Sequence, residues 1–440
     1  MSKKKNVCIL VLGEILISPR MQYHALSLAK TEKINHVDII GYMKHKPLEE
    51  IDSNKKIKCH KIRQFPAMSR KLFLLYMIPK VLFQILQLFY MLFFKVKKPD
   101  FLFIQNPPTI PTMIVARIFC WIRKTKYIID WHNFGYSILA LHFSKKNFLV
   151  KIAKWVEYLF SRGAYAHFCV TKAMQKELKK NWKINNAIVL YDKPKEFFHE
   201  TSIDEKHELF QRIKSDLVPL NKCLIPNTGE NLFTELVEEK PILKKTRPAL
   251  VISSTSWTKD DNFEMLVEAA EKLEEKIIKE KMSETFPNVL ITVTGKGPLK
   301  EEFQKNCQKK KMQKIGFSTV WLEAKDYPLL LGSGDVGVSL HESSSGFDLP
   351  IKVVDMFGCN LPVCAVDFNC LNELVQNDVT GLIFNSADQL ADSLFLLLKD
   401  FPNNTQKLDS IRQNIRNKEK IKWSDSWNSI ARKVFVEKVD

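Results

Sequence analysis

The chain has 440 residues, enough for two or three domains at roughly 100–200 residues each, and its 45% apolar and 26% charged residues exclude a disordered or fibrous protein. Nine cysteines, an odd count without a C-x-x-C pair, argue against a disulfide framework or a zinc site and for a reducing compartment. The net charge of +18 is one-sided: residues 1–200 carry 35 Lys and Arg against 13 Asp and Glu, and the remainder carries 32 against 36. That excess suits a membrane surface or a phosphorylated ligand. It comes with no aromatic-basic platform, so nucleic acid is set aside as a partner.

The first segment, MSKKKNVCILVLGEILI, imitates a signal peptide, but Gly13 and Glu14 interrupt the apolar run and no small-residue cleavage site follows. It is predicted to be a strand, Val7–Leu12, ending at Glu14. Ser18-Pro19 then reads as a helix start with an N-cap serine and Pro at N1, which gives a helix Pro19–Lys30 with Arg20 in its first turn. A second strand is expected over His36–Tyr42.

The stretch Leu72–Phe94 is apolar at nineteen of 23 positions, and Lys80, Gln84 and Gln87 mark one narrow polar stripe. Basic residues bracket it. Its length would cross a bilayer, but a crossing would separate strands that belong to one sheet. An interfacial helix in one leaflet is favoured over a span or a core helix.

Further strands are predicted at Phe101–Gln105, Tyr127–Trp131, His167–Thr171 and Ala187–Tyr191. The strand at Phe101 ends in Gln105-Asn106-Pro-Pro. The next ends in Asp130-Trp-His132-Asn133. Polar groups at the carboxyl ends of neighbouring strands are where an acceptor and a general base belong.

Residues 199–245 lack sustained periodicity and read as a linker or surface insertion. The pattern then restarts, with strands at Ala249–Ser253, Val289–Thr294, Asp335–Leu340, Pro362–Val366 and Gly381–Phe384, and helices at 388–400, 405–417 and 423–437. Three polar loops lie on one edge of this second sheet; the glycines of the second let backbone approach a phosphate, and the last, a serine loop that opens a helix, suits a diphosphate. The three are Ser254-Thr255-Ser256, followed by Lys259; Gly295-Lys296-Gly297; and Ser343-Ser344-Ser345-Gly346. The last leads past Asp348, a candidate N-cap, and Pro350 into a helix that carries Lys352 and Asp355 and exits at Gly358. Asp355 is placed to accept hydrogen bonds from ribose hydroxyls.

The predicted fold class is α/β, with two doubly wound Rossmann-like domains facing each other across a cleft. The expected division is 1–198, a first Rossmann-like domain with the membrane-facing charge; 199–245, a linker or surface insertion; 246–422, a second Rossmann-like domain; and 423–440, a C-terminal helix returning to the first domain.

The runs Asp130-Trp-His-Asn133, Ser253-Ser-Thr-Ser-Trp257, Ser343–Pro350 and Val353–Cys359 give the chain a resemblance to the chitobiosyldiphosphodolichol β-mannosyltransferases, GT-B enzymes of the dolichol pathway. Ser18–Lys30, Ile104–Pro108, Tyr191–Phe198, Thr294–Leu299 and Trp321–Gly332 extend it through both domains in order.

The resemblance implies inverting transfer of mannose from GDP-mannose to the 4-hydroxyl of the outer GlcNAc of GlcNAc2-diphosphodolichol. The place is the cytosolic face of the endoplasmic reticulum membrane, with other mannosyltransferases of the pathway as candidate partners. No bound cofactor is expected; a divalent-ion requirement is left open, because GT-B enzymes generally stabilise the leaving group with helix dipoles and basic residues.

On this reading Glu14 or His132 is the base and Asp130 orients it. Ser18, Arg20, Gln105, Asn106 and Asn133 bind acceptor. Ser254, Thr255, Ser256, Gly295, Lys296, Gly297, Ser343, Ser344, Ser345, Gly346, Asp348, Lys352 and Asp355 bind donor. Asp348 and Asp355 stand where retaining GT-B families carry a Glu-x7-Glu pair, one residue closer together.

The first loop departs from the family pattern, with Leu16 and Ile17 in place of a glycine and an arginine. Many members begin with a transmembrane helix; here the membrane contact is expected from Leu72–Phe94 and the basic first domain. The competing readings are a retaining α-mannosyltransferase of the same pathway and a non-catalytic, lipid-binding scaffold.

Overall fold

The computed structural model describes all residues except 1–2, 16–17, 45–47, 67–72, 145, 226–229, 256, 258–261 and 438–440. The chain divides into two compact units. One comprises Met1–Asp192 with Trp423–Asp440, the other Lys193–Lys422.

In unit 1, apolar runs form β1 (Lys5–Glu14), β2 (Ile34–Tyr42), β3 (Ile57–Lys61), β4 (Phe101–Asn106), β5 (Lys126–Trp131), β6 (Ala166–Cys169) and β7 (Ala187–Val189). They build one parallel sheet in the order β3-β2-β1-β4-β5-β6-β7. Covering both faces with helices buries every residue from Val7 to Leu12, which is why β1 reads as a continuous apolar run. The edge strand β3, sequence IKCHK, escapes sequence reading because most of it faces water. Strand order reverses between β1 and β4, the switch point at which such sheets bind ligands.

The returning C-terminal segment completes this core. It forms two short helices, Trp423–Ser429 and Arg432–Val436, rather than the single expected helix. Trp427, Val434 and Phe435 are buried against β1, β4 and β6, with Phe435 packed on Phe101 and Phe103 at ring distances of 5.3 and 5.7 Å.

The first strands of unit 2 form an antiparallel hairpin, β8 (Thr234–Val237) and β9 (Lys240–Leu243). A parallel sheet follows, made of β10 (Ala249–Ser254), β11 (Val289–Thr294), β12 (Ile315–Val320), β13 (Val336–Ser339), β14 (Val363–Val366) and β15 (Gly381–Phe384). Its order, β12-β11-β10-β13-β14-β15, repeats the topology of the first sheet. Strand β12 was not expected; its Ser318 hydroxyl is buried and satisfied by Thr292 at 2.8 Å, so polar residues hide a core strand.

The segment 199–245 corrects the expected linker. It contains a helix, Ile203–Ile213, whose N-terminus is closed by a capping box of Ser202 and Glu205. Leu209, Phe210, Leu217 and Phe233 from this segment are buried in the core of unit 2.

Candidate active site

At the carboxyl edge of the first sheet, Glu14 ends β1. Its Oε2 accepts from the Lys44 backbone N–H at 2.9 Å, and among the described residues its buried Oε1 has no hydrogen-bond partner. Leu16 and Ile17 of the altered loop lie outside the described residues. Ser18 holds the N-cap position but does not cap; its hydroxyl donates to Gln105 Oε1 at 2.8 Å, tying the loop after β1 to the end of β4 across the switch point.

Arg20 is not a surface group for an acceptor. It is 2% exposed and grips Asp130 through Nε and Nη2 at 2.7 and 2.9 Å, while Nη1 donates to the Leu190 carbonyl and to Asp192. Burial alone would raise the Asp130 carboxyl, but the Arg20 charge and His132 hold it well below the usual carboxylate range.

An ionised carboxylate can only accept. His132 Nε2, 2.9 Å from Asp130 Oδ2, therefore carries its proton toward Asp130, which leaves Nδ1 as the ring nitrogen turned away from it. His132 is 19% exposed and Asp130 fully buried, so of the two only the imidazole can meet a substrate. The geometry is that of a base-plus-orienter pair of the kind proton abstraction needs, with His132 as the candidate base and Asp130 as its candidate orienter.

Two neighbours that the sequence did not single out fix this pair. His24, one helical turn after Arg20, lies with Nε2 3.3 Å from Asp130 Oδ2, and its Nδ1 accepts from Trp427 Nε1 at 2.9 Å. An indole N–H only donates, so His24 is protonated on Nε2, facing Asp130. Burial lowers its pKa and keeps it neutral.

Glu157, wholly buried on the helix Phe148–Ser161, accepts from Asn106 Nδ2 at 2.7 Å, Thr109 Oγ1 at 2.9 Å and the Gly135 N–H at 2.6 Å. Asn106 also donates to the Asn133 carbonyl and accepts the His132 N–H on its own carbonyl. Asn106 is thus a buried brace for the 130–133 loop rather than an acceptor ligand. Asn133 Oδ1 accepts from the Phe134 N–H at 2.7 Å and so holds the same loop. A lone glutamate on an apolar helix was the available signal for Glu157.

At the carboxyl edge of the second sheet, Ser254 and Thr294 are paired neighbours, and the loops after β10, β11 and β13 leave from the same side. Gly295 is required there. Its φ is +142°, and a Cβ would lie 1.9 Å from the Thr255 carbonyl oxygen. Thr255 Oγ1 accepts from the Trp257 N–H at 2.8 Å, and the fully buried Trp257 stacks on Phe263 at 4.8 Å. Ser256 and Lys259 lie outside the described residues. Lys296 is exposed over the Trp321 ring at 5.5 Å, beside Gly297.

Tyr327, missed by sequence reasoning, donates to Ser254 Oγ at 3.2 Å. Burial raises its pKa first and the Asp355 charge raises it further.

The serine loop is closed on itself. Ser343 and Ser345 hydroxyls both donate to Asp348 Oδ1, and the N–H groups of Gly346 and Phe347 donate back to the two serines. Gly346 turns the chain at φ +76°. Asp348 therefore organises the loop and is not an N-cap. Pro350 occupies the N-cap position of the helix Ile351–Gly358, which carries Lys352 and Asp355. Gly358 is needed for packing, since a Cβ there would lie 2.4 Å from Pro194 Cβ; the left-handed exit is Asn360, φ 61°. Ser344 sits half-buried in the same loop.

Comparison with known proteins now adds to this geometry. The chitobiosyldiphosphodolichol β-mannosyltransferase of Mus musculus is 40% identical over 430 residues, covering 97% of this chain and 88% of that protein. The Homo sapiens protein of the same name is 40% identical over 428 residues, covering 96% and 91%. This chain belongs to the chitobiosyldiphosphodolichol β-mannosyltransferase family.

A protein of Arabidopsis thaliana named UDP-glycosyltransferase TURAN is 41% identical over 464 residues, covering 100% of this chain and 99% of that protein. The family described as Glycosyl transferases group 1 matches residues 236–418, which lie in unit 2. Among solved structures, the Anabaena protein Alr3699/HepE in complex with UDP and glucose aligns with a TM-score of 0.63 at 13% identity, over 98% of this chain and all of that one. WaaG, a glycosyltransferase of lipopolysaccharide biosynthesis, aligns with a TM-score of 0.62 at 12% identity. The fold of this family member is GT-B, and the protein is a glycosyltransferase. Among the described residues no group of three or more His, Cys, Asp or Glu side chains is placed to hold a metal ion.

Proposed function

We propose that the protein transfers mannose from GDP-mannose to the 4-hydroxyl of the outer GlcNAc of GlcNAc2-diphosphodolichol, with inversion to a β-mannoside, at the cytosolic face of the endoplasmic reticulum membrane. The observation that carries this is identity of about two residues in five with named β-mannosyltransferases over nearly the whole chain.

In the reaction, the acceptor O4 forms a bond to the mannose anomeric carbon while the bond from that carbon to the GDP oxygen breaks. The O4 proton passes to His132 Nδ1, with Asp130 holding the ring and stabilising the imidazolium that forms. Glu14, with one carboxylate oxygen unused among the described residues, is the alternative base. Negative charge gathering on GDP is met by Lys296 and Lys352 and by the backbone of the 343–346 loop. Asp355 accepts from the ribose hydroxyls. Ser18 and Gln105, bonded to one another across the switch point, line the acceptor side.

The test is transfer of radiolabelled mannose to a GlcNAc2-diphosphate with a phytanyl tail, comparing wild type, Glu14→Gln and His132→Ala. A β-mannosidase-sensitive trisaccharide is expected from wild type, and its loss in His132→Ala with GDP binding intact. An α-linked product overturns inversion. Parallel reactions with UDP-sugars address the name carried by the Arabidopsis relative, and transfer from UDP-sugars alone would replace GDP-mannose as donor.

A further inference from the structure

One helix of unit 1 presents an apolar face outward. In the helix Phe73–Tyr90 and the wider turn Met91–Lys95 that extends it, the polar stripe faces protein. Gln84 is buried and donates to the Tyr42 hydroxyl at 3.1 Å; Gln87 exchanges two hydrogen bonds of 3.0 Å with the Arg63 backbone. Outward point Ile78, Leu82, Leu86, Tyr90 and Phe94, between 50% and 77% exposed. Leu88, Met91 and Leu92 are buried on the inward side as well, so the helix is apolar on both sides, whereas a helix whose outer side meets water is polar there.

The exposed apolar face does not stop at one helix. Thr112–Arg123 packs beside it, with Phe119 edge-on to Phe93 at 5.0 Å, and exposes Ile122 and Trp121, the latter at 80%. Phe148–Ser161 packs beside that, joined by the bond from Arg117 Nη1 to the Gly163 carbonyl at 3.0 Å. Its Phe148, Ile152, Trp155 and Leu159 recur at helical spacing on one exposed face, with Trp155 at 60%.

The only carboxylate on the three helices is Glu157, which is fully buried. Exposed cations stand among and beside the apolar faces: Lys95, Lys97, Lys98, Lys151, Lys154 and Arg162.

We propose that the outward faces of these three helices form one docking surface for the interface of an anionic phospholipid bilayer. The segment Tyr76–Lys95 lies in the headgroup boundary, and Trp121 and Trp155 sit at the level where indoles favour one wet and one apolar side. Charge complementarity selects lipid over a second copy of the chain, because two copies would bring these cations together and, among the described residues, none of them is in an ion pair. A crossing helix is disfavoured because this one connects β3 to β4, both in a single sheet, and is tied to the unit at one turn by Gln84 and Gln87. The proposal deepens the functional reading, since a lipid-linked acceptor is met at such a surface, but docking needs no catalysis.

The experiment is flotation of the purified full chain with phosphatidylcholine vesicles, with and without phosphatidylserine. Wild type is expected to float with the anionic vesicles and to be released by salt. The double variant Trp121→Glu, Trp155→Glu should lose at least about tenfold in bound fraction at limiting lipid. Ile278→Glu, which alters an exposed apolar residue of unit 2, should behave as wild type. Because the two tryptophans are exposed, an unchanged melting temperature is expected and separates docking from folding.

Retention of the double variant in membranes after alkaline extraction would overturn the proposal in favour of a span. No vesicle binding, with a dimer that the double variant dissolves, would overturn it in favour of a second copy. Vesicle binding without transfer of any sugar would leave docking standing and remove the functional reading instead.

Discussion

At the residue scale the Asp130 cluster separates chemistry from architecture. Asp130 is held by Arg20, His24 and His132 at once, so its removal leaves a buried guanidinium without its main partner. Such losses cost about 3–5 kcal/mol. His132 is partly exposed and makes one side-chain bond. His132→Ala should therefore lower kcat by at least about 100-fold with little change in Tm, whereas Asp130→Asn should lower both. Steady-state kinetics beside thermal melts check this, and a fully active His132→Ala would pass the role of base to Glu14.

The pH response belongs to the same scale. Burial pushes His167 down to about 4, with Trp131 Nε1 donating to its Nδ1 at 3.2 Å. An unfolded histidine titrates near ~6.5. Stability from a neutral His167 is thus fully present above that value and is lost as pH falls toward about 4, on the order of 3 kcal/mol. His24, also lowered by burial, acts in the same direction. Asp130, whose folded pKa is depressed, gives up its contribution only below the ordinary carboxylate range. Urea unfolding from about pH 7 to about pH 5 should show falling stability, and His167→Gln should flatten the slope.

At the scale of elements, glycines record where segments meet. Alanine is the better helix former by about 1 kcal/mol, so Gly358 at a helix end looks replaceable. Its missing Cβ, however, makes room for Pro194 and Phe198, so Gly358→Ala should destabilise by about 1–3 kcal/mol in denaturant unfolding. Gly295→Ala should instead report on function. It forces apart the loops after β10 and β11, and weaker GDP binding is expected by calorimetry.

Periodicity made most strands and helices legible, because a buried parallel strand must be an apolar run and a covering helix must repeat on one side. Strands β3 and β12 were not legible, because one lies on an exposed edge and the other buries hydroxyls that pair with each other. The loops after β10, β11 and β13 were legible as loops from their glycines and serines. That Asp348 ties two of those serines together was not, since a short loop has no periodicity to constrain it.

At the scale of the molecule, the second crossing of the chain completes unit 1. Ending the chain at Lys422 would remove Trp427 and Phe435 from the core and the hydrogen-bond donor from His24. Calorimetry of such a variant should lose the unit 1 transition while GDP still shifts the transition of unit 2. An unchanged trace would show that the segment is dispensable for the fold.

The sequence by itself determined the two-sheet α/β plan, the family, the charge imbalance and the greasy helix, because composition, periodicity and long motif runs are local properties of the chain. Only the tertiary structure decided which way the polar stripe of that helix turns, that Arg20 and Asn106 are buried braces and that a tryptophan near the C-terminus fixes a histidine beside Asp130. Each of those depends on which distant residue arrives as a partner. Hydrogen-bond direction and burial are properties of the pair, and no single stretch of sequence carries them.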